Sequence, residues 1–211
     1  MTEIPDYQKA TNATYETLIM YKAFSFPINI FYIISQMKQI KMYTYAQLKH
    51  LLGKTNDIFP SDYGFTILDI KNGKRIIAYN SNKDYTTARF TLAHELGNTM
   101  LNHSKEGDVE NKEANCFARN LLCPVPVVDE MRICTSEEYQ NIFYVSPPMA
   151  ELSKQFFKSD KHYITDKNYW QYNSGVFYQQ TGYTPNQFYN LLKLPTPKPS
   201  KKLITKPKTD D

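Results

Sequence analysis

His94 and Glu95 are adjacent in the segment ARFTLAHELGNTMLNH, residues 88–103, and this pair of side chains can do metal chemistry. In the pattern His-Glu-x-x-His, two imidazoles one helical turn apart bind Zn²⁺, and the glutamate removes a proton from the metal-bound water. Here the fifth position is Asn98. Its amide oxygen is a hard neutral ligand that suits Ca²⁺ better than Zn²⁺, so the segment predicts a zinc site that lacks one imidazole.

A second segment, VENKEANCFARNLL at residues 109–122, supplies carboxylates that could complete a metal site. Its apolar residues have helical spacing, Glu113 lies beside the apolar stripe, and Glu110 lies on a nearby face. A carboxylate oxygen can bind zinc at about 2.0–2.2 Å. Each residue alone also has an ordinary interpretation, with His94 as a hydrogen-bonded core histidine and Glu113 as a surface charge. His103, about half a turn from the face of His94, is interpreted as a helix-end residue.

Two helices and a hairpin are predicted to position these side chains. The first helix covers about residues 85–102 with Asp84 as its N-cap, and the second covers about residues 109–122. Ahead of them, two β-branched runs within residues 64–80 flank Asn72-Gly73, a strong hairpin signal. The predicted fold class is therefore α+β, mostly helical, with a small β-sheet or hairpin and a helical region at the C-terminal end.

Composition excludes several classes of protein. The chain of 211 residues has three cysteines, no secretory start and no apolar segment long enough to span a bilayer, which predicts reduced thiols, a cytoplasmic location and no membrane contact. Five lysines and two aspartates lie in the proline-rich tail, residues 195–211, which is predicted to be disordered. The rest of the chain is nearly neutral, so a general basic surface for nucleic acid is not expected.

Two motifs and the hairpin ahead of them resemble the ImmA/IrrE family of bacterial and phage metallopeptidases. The likeness extends over roughly residues 28–125. It is carried by RFTLAHELG at 89–97, LNH at 101–103, EAN at 113–115, FA at 117–118, LLCP at 121–124 and, in the hairpin, GKRIIAYNSN at 73–82.

The resemblance implies a zincin-like metallopeptidase domain over residues 1–125 and a role for each matched position. His94 would be the first zinc ligand, Glu95 the general base and Glu113 the carboxylate ligand. Asn98 takes the position of the second zinc histidine. Members of the family are cytoplasmic, and many cleave or inactivate a helix-turn-helix repressor of a mobile element, prophage or stress response.

Asn98 leaves three explanations open. A natural pseudopeptidase would keep the fold and capture its partner without cutting it, as an antirepressor. A working enzyme would complete the zinc coordination with Asn98, Glu110 or water. A histidine deliberately exchanged for asparagine would trap an inactive form. In each case the implied cofactor is Zn²⁺, and its binding is weakened or lost because an imidazole ligand is missing.

The region after the peptidase domain, residues 126–194, is predicted to be helical and is rich in Tyr and Phe. Such residues are enriched where proteins contact one another. The region has few basic residues for contacts with phosphate, so direct DNA binding is not expected. We therefore predict that this region contacts a partner protein.

Overall fold

The structure is a computed structural model that describes residues 4–53, 59–69, 72–105 and 107–191. The described part contains ten helices and three strands, which confirms the predicted α+β class with mostly helical content and a small sheet. The predicted tail, residues 195–211, lies outside the described residues. In chain order the elements are α1 (Tyr7–Met20), α2 (Ile30–Ser35), β1 (Ile40–Thr44), α3 (Tyr45–Leu52), β2 (Gly64–Asp69), β3 (Lys74–Tyr79), α4 (Tyr85–Met100), α5 (Asp108–Leu122), α6 (Val125–Glu130), α7 (Ser136–Phe143), α8 (Pro147–Tyr163), α9 (Asp166–Thr181) and α10 (Pro185–Leu191).

The small sheet has the strand order β1-β3-β2. β1 pairs with β3 in parallel, and β2 pairs with β3 antiparallel, with Gly64 opposite Tyr79 and Thr66 opposite Ile77. The predicted hairpin is thereby confirmed. Its turn contains Gly73, whose φ of 63° is a left-handed conformation that glycine adopts without strain. Because β2 is at one end of the strand order, its outer edge can pair with another strand.

The helix α4 begins where the sequence predicts and ends earlier. Asp84 is its N-cap, and the carboxylate accepts a 2.9 Å hydrogen bond from the backbone N–H of Thr87. The helix ends before Asn102, which has a left-handed φ of 59°. The N–H of His103 then donates to the carbonyl of Asn98 at 2.9 Å, as in a Schellman helix end. The chain therefore turns back on the last turn of α4.

The helices α4 and α5 pack closely against each other in the core. Leu92 and Leu96 of α4 and Phe117 and Leu121 of α5 are fully buried. Gly97 permits this contact, because a Cβ atom there would lie 3.1 Å from ring atoms of Phe117. Burial contributes about 1.5–3 kcal/mol for each side chain of this size. The packed helix pair thus fixes the positions of the polar side chains that α4 and α5 carry.

The C-terminal helices share the same hydrophobic core, which includes Val127 of α6, Met149 of α8 and Tyr172 of α9. Near the end of α8, Asp160 accepts hydrogen bonds from the guanidinium of Arg119 in α5 at 2.6 and 2.7 Å. Both side chains are buried, so this pair fixes α8 against α5. None of the helices in the described ranges has the length and apolar composition to cross a membrane.

Candidate active site

His94 lies half-buried on α4, next to Asn115 of α5. Its Nδ1 is 2.9 Å from Oδ1 of Asn115. An amide oxygen can only accept a hydrogen bond, so Nδ1 carries the hydrogen and Nε2 carries the free lone pair. Metal-binding histidines are commonly oriented in this way through the second ring nitrogen. The tautomer of His94 is therefore the one that a metal ligand needs.

Glu95 is buried, with 8% of its surface exposed, and two donors orient its carboxylate. Oγ1 of Thr66 donates to Oε2 at 2.8 Å, and Nδ2 of Asn98 donates to the same oxygen at 3.3 Å. Gly64, on the same face of β2 as Thr66, lets the strand approach α4 closely. A Cβ atom at Gly64 would lie only 2.4 Å from Cγ2 of Thr91. Glu95 is thus positioned jointly by β2 and by α4.

Asn98 uses both ends of its amide within the site. Nδ2 donates to Glu95, and Oδ1 accepts from Nδ1 of His103 at 2.9 Å. Nε2 of His103 lies 2.9 Å from Oε2 of Glu113, and these two side chains are only 8% and 10% exposed. Both ring nitrogens face oxygen atoms, so the ring can donate to both only as an imidazolium. We name Asn98, His103 and Glu113 together the imidazole bridge, because they connect α4 to α5.

Both carboxylate oxygens of Glu113 have partners. Oε2 pairs with His103, and Oε1 accepts a 2.7 Å hydrogen bond from the backbone N–H of Asp6. Asp6 is the N-cap of α1, so Glu113 also connects α5 to the start of α1. To bind a metal ion, this carboxylate would have to share an oxygen atom that already has a hydrogen-bond partner.

Glu110, the alternative ligand from the sequence, is held at the start of α5. Its carboxylate lies 3.5 Å from Nζ of Lys105. A hydrogen bond with its own backbone N–H lowers the pKa of Glu110 below its ordinary value, and the nearby Lys105 charge lowers it further. These contacts keep the Glu110 carboxylate ionised and hold it at the start of α5.

The side chains as they stand do not fit a zinc ion. Within the described part of the chain, no group of three or more His, Cys, Asp or Glu side chains is arranged to hold a metal. Tetrahedral zinc in peptidases needs three protein ligands besides water. His94 could offer one nitrogen, but Asn98 is hydrogen-bonded at both ends and Glu113 is paired. Zinc binding would therefore require the imidazole bridge to open.

A cavity of about 500 Å³ lies beside His94 and Glu95. Its lining comes from β2, α4, α5, α8 and the residues just ahead of β2 and α8, and the α8 residues include Met149 and Leu152. Glu113 is not among the residues that line it. The volume falls within the range of roughly 300–1,000 Å³ that is usual for ligand sites. The structure thus brings His94, Glu95 and a cavity together and leaves Glu113 outside that cavity.

The contact between His103 and Asn98 could not be found by helical projection. The projection continues α4 through residue 103 and places His103 half a turn from His94, whereas the helix ends before Asn102 and the chain turns back. Asn102 was the available signal, since Asn is the residue after Gly that most often takes a left-handed conformation at a helix end. The contacts of Thr66 and Asn115 join residues distant in sequence and have no local signal.

The model of the IrrE N-terminal-like domain of peptidase family M78 matches residues 47–138 of this chain. The matched range contains β2, β3, α4 and α5, and with them His94, Glu95 and the imidazole bridge. The range ends within α7, so α8 lies beyond it. No curated protein matched the chain.

Proposed function

The protein is a member of the ImmA/IrrE family through its IrrE N-terminal-like domain, and from this premise we propose that it acts on a partner protein by binding it without hydrolysing a peptide bond. The proposed partner is a helix-turn-helix repressor of a mobile element or phage, as the family resemblance implies. The protein would then relieve repression in the cytoplasm as an antirepressor. The peptidase fold supplies the cleft, and Asn98 leaves the peptidase chemistry weakened or lost.

The imidazole bridge is the single observation that carries this proposal. Glu113, which the family pattern makes a zinc ligand, is paired at 2.9 Å with His103, and Asn98 holds that imidazole from the other side. The missing imidazole at position 98 and the engaged carboxylate at position 113 both oppose zinc binding. A bound zinc ion lowers the pKa of the water that a general base deprotonates, so weak zinc binding leaves Glu95 with a much less acidic water. These side chains therefore support a role for the site in binding a partner protein.

The outer edge of β2 is the surface that we assign to the partner segment. The N–H of Asn80 donates to the carbonyl of Tyr63 at 2.8 Å, so odd-numbered residues of β2 direct their backbone groups toward β3. The backbone groups of even-numbered residues, such as Gly64 and Thr66, then face the outer edge. An extended segment can add to such an edge as a further strand. Gly64 also lines the cavity, so a segment bound there would lie beside it.

The experiment that tests the proposal is purification of the tagged full chain from its native host, followed by mass spectrometry and metal analysis. We expect an intact repressor in near-equal amount and far less than one zinc ion per chain. The variant Gly64→Val serves as a cleft control once circular dichroism shows that it is folded: its side chain would press against Thr91 and narrow the cavity, so the repressor should be lost.

A second comparison separates binding from cleavage. The variant Glu95→Gln keeps the shape of the side chain and removes its basic carboxylate, so the proposal expects it to retain the intact repressor as well as the unaltered chain does. The proposal is contradicted if the unaltered chain yields repressor fragments and about one zinc ion per chain, and if intact repressor is found only with Glu95→Gln. That result would establish a working peptidase.

A further inference from the structure

We infer that the cavity beside His94 receives one large apolar side chain of the bound segment, and that α8 determines this preference. The inference rests on the proposed function, since it specifies what the same cleft selects. It assigns a role to the C-terminal region that the family match does not cover, because α8 begins at Pro147 and the match ends at residue 138.

The surface of the cavity is mostly apolar, and its apolar side chains come from two helices. Phe90 comes from α4, and Pro148, Met149 and Leu152 come from the first turns of α8. Met149 is buried, and Leu152 is 38% exposed at the edge of the cavity. Apolar walls of this kind gain most from an apolar occupant, because burial removes apolar surface of both partners from water.

Two of the polar side chains that line the cavity already have hydrogen-bond partners. Nδ1 of His94 is bonded to Asn115, and the carboxylate of Glu95 accepts from Thr66 and Asn98. A polar side chain entering the cavity would lose water and find few partners besides Nε2 of His94, which is costly. Among the lining residues that the structure describes, none is a lysine or an arginine that could pair with an acidic side chain, and the Glu95 carboxylate repels one. The cavity therefore selects against polar and acidic occupants.

The α8 wall is held in place at both ends. At its start, the buried guanidinium of Arg89 donates to the carbonyls of Phe143, at 2.9 Å, and of Tyr144, just ahead of the helix. Near its other end, Asp160 is paired with Arg119. Because α8 is tied to both α4 and α5, the cavity is preformed, and a preformed site loses less entropy when it binds a ligand.

The edge of β2 explains why a single side chain would enter. Successive side chains of an added strand point to opposite faces of the sheet. On the face that carries Gly64 and Thr66, the sheet lies against α4, next to the cavity. Gly64 has no side chain to occupy that space. One residue of the segment opposite Gly64 would therefore point into the cavity, and its neighbours would point away.

The test uses a phage-displayed library of random seven-residue peptides and the immobilised full chain. We expect the selected peptides to share a Leu, Ile, Met, Phe, Tyr or Trp at one fixed position. A labelled peptide from this set is then titrated with the unaltered chain, with Leu152→Lys and with the surface control Lys158→Ala, and binding is followed by fluorescence anisotropy. Leu152→Lys should weaken binding by about tenfold or more, and Lys158→Ala should not.

Leu152 is partly exposed, so its substitution should leave the thermal midpoint nearly unchanged, and circular dichroism checks this. Peptides that lose binding with Gly64→Val bind through the cleft. If such peptides share no apolar position, or share a basic residue at the fixed position, the inference is overturned and the proposed function still stands. Equal binding by the unaltered chain and Leu152→Lys would also overturn it. A library from which no peptide binds the unaltered chain would overturn the inference and the proposed function together.

Discussion

At the scale of single residues, Asn98 connects Glu95 to His103 through the two ends of its amide. Its amide N–H donates to the carboxylate of Glu95, and its amide oxygen accepts from His103. A histidine at position 98 could not reproduce both contacts with one ring in the same place. His103 in turn pairs with Glu113, so Asn98 is connected to α5 through this imidazole.

The first prediction concerns zinc affinity. The variant Asn98→His supplies the second imidazole, but Glu113 remains paired with His103, so its zinc affinity should rise only modestly. Adding His103→Ala frees the carboxylate, and the double variant should bind zinc at least about tenfold more tightly than Asn98→His alone. Competition titration with a chromogenic chelator measures both constants. Equal affinities of the two variants would show that the imidazole bridge does not obstruct zinc.

The second prediction concerns stability. His103→Ala leaves the nearly buried carboxylate of Glu113 with only the N–H of Asp6 as a partner, so the free energy of unfolding should fall by about 1–3 kcal/mol. Urea denaturation followed by circular dichroism measures the change. The matched control is His50→Ala, because His50 is exposed on α3. A similarly small effect of both substitutions would mean that the contact with Glu113 contributes little.

At the scale of elements, the site depends on how closely β2 approaches α4. Gly64 is the position that sets this distance, because a Cβ atom there would meet Cγ2 of Thr91 at 2.4 Å and the carbonyl oxygen of Ala78 at 3.0 Å. Thr91 is buried and branched at Cβ, so its methyl group has little freedom to move. The distance between strand and helix in turn determines whether Thr66 reaches Glu95.

The third prediction follows from this contact. Gly64→Ala should destabilise the fold by about 1–3 kcal/mol through overpacking. The double variant Gly64→Ala/Thr91→Ser removes the methyl group that the new Cβ meets, so it should recover part of the loss. We measure the thermal and urea unfolding of these two variants and of Thr91→Ser alone. Together with the unaltered chain they form a double-mutant cycle, which gives the coupling free energy between positions 64 and 91. Additive effects would indicate that the crowding is relieved elsewhere.

At the scale of the whole molecule, one core connects α1, the α4–α5 pair and the C-terminal helices, and it includes two of the three cysteines. Burial raises the pKa of the Cys116 thiol to about 11 and that of Cys123 to about 12. Cys134 is exposed. A thiol whose pKa rises on folding stabilises the folded state fully below the unfolded pKa, so this contribution is complete below about pH 9 and is lost as the pH rises to about 11 for Cys116 and about 12 for Cys123.

The fourth prediction is a count of reactive thiols. In the folded chain at about pH 8, a disulfide reagent should modify Cys134 rapidly and leave Cys116 and Cys123 unmodified, because only thiolates that solvent can reach are reactive. In urea all three should react. Absorbance of the released chromophore gives the count. Rapid reaction of more than one thiol in the folded state would show that the core around α5 opens readily.

The sequence alone predicted the elements that have local signals. The cap at Asp84, the turn at Asn72-Gly73 and the two helices follow from spacing and turn chemistry, and the fold class follows from them. The pairing of His103 with Glu113 was not predictable, because it depends on where α4 ends and how the chain turns there. The α8 wall was also missed, since periodicity shows that a helix has an apolar face but not what that face contacts.

A crystal structure of the unaltered chain grown with zinc tests the central claim most directly. We predict that Nε2 of His103 and Oε2 of Glu113 remain in contact at about the present 2.9 Å, that Asn98 still bonds to His103, and that no zinc ion lies on His94. A zinc ion bound by His94 and Glu113, with His103 displaced from the carboxylate, would contradict the account.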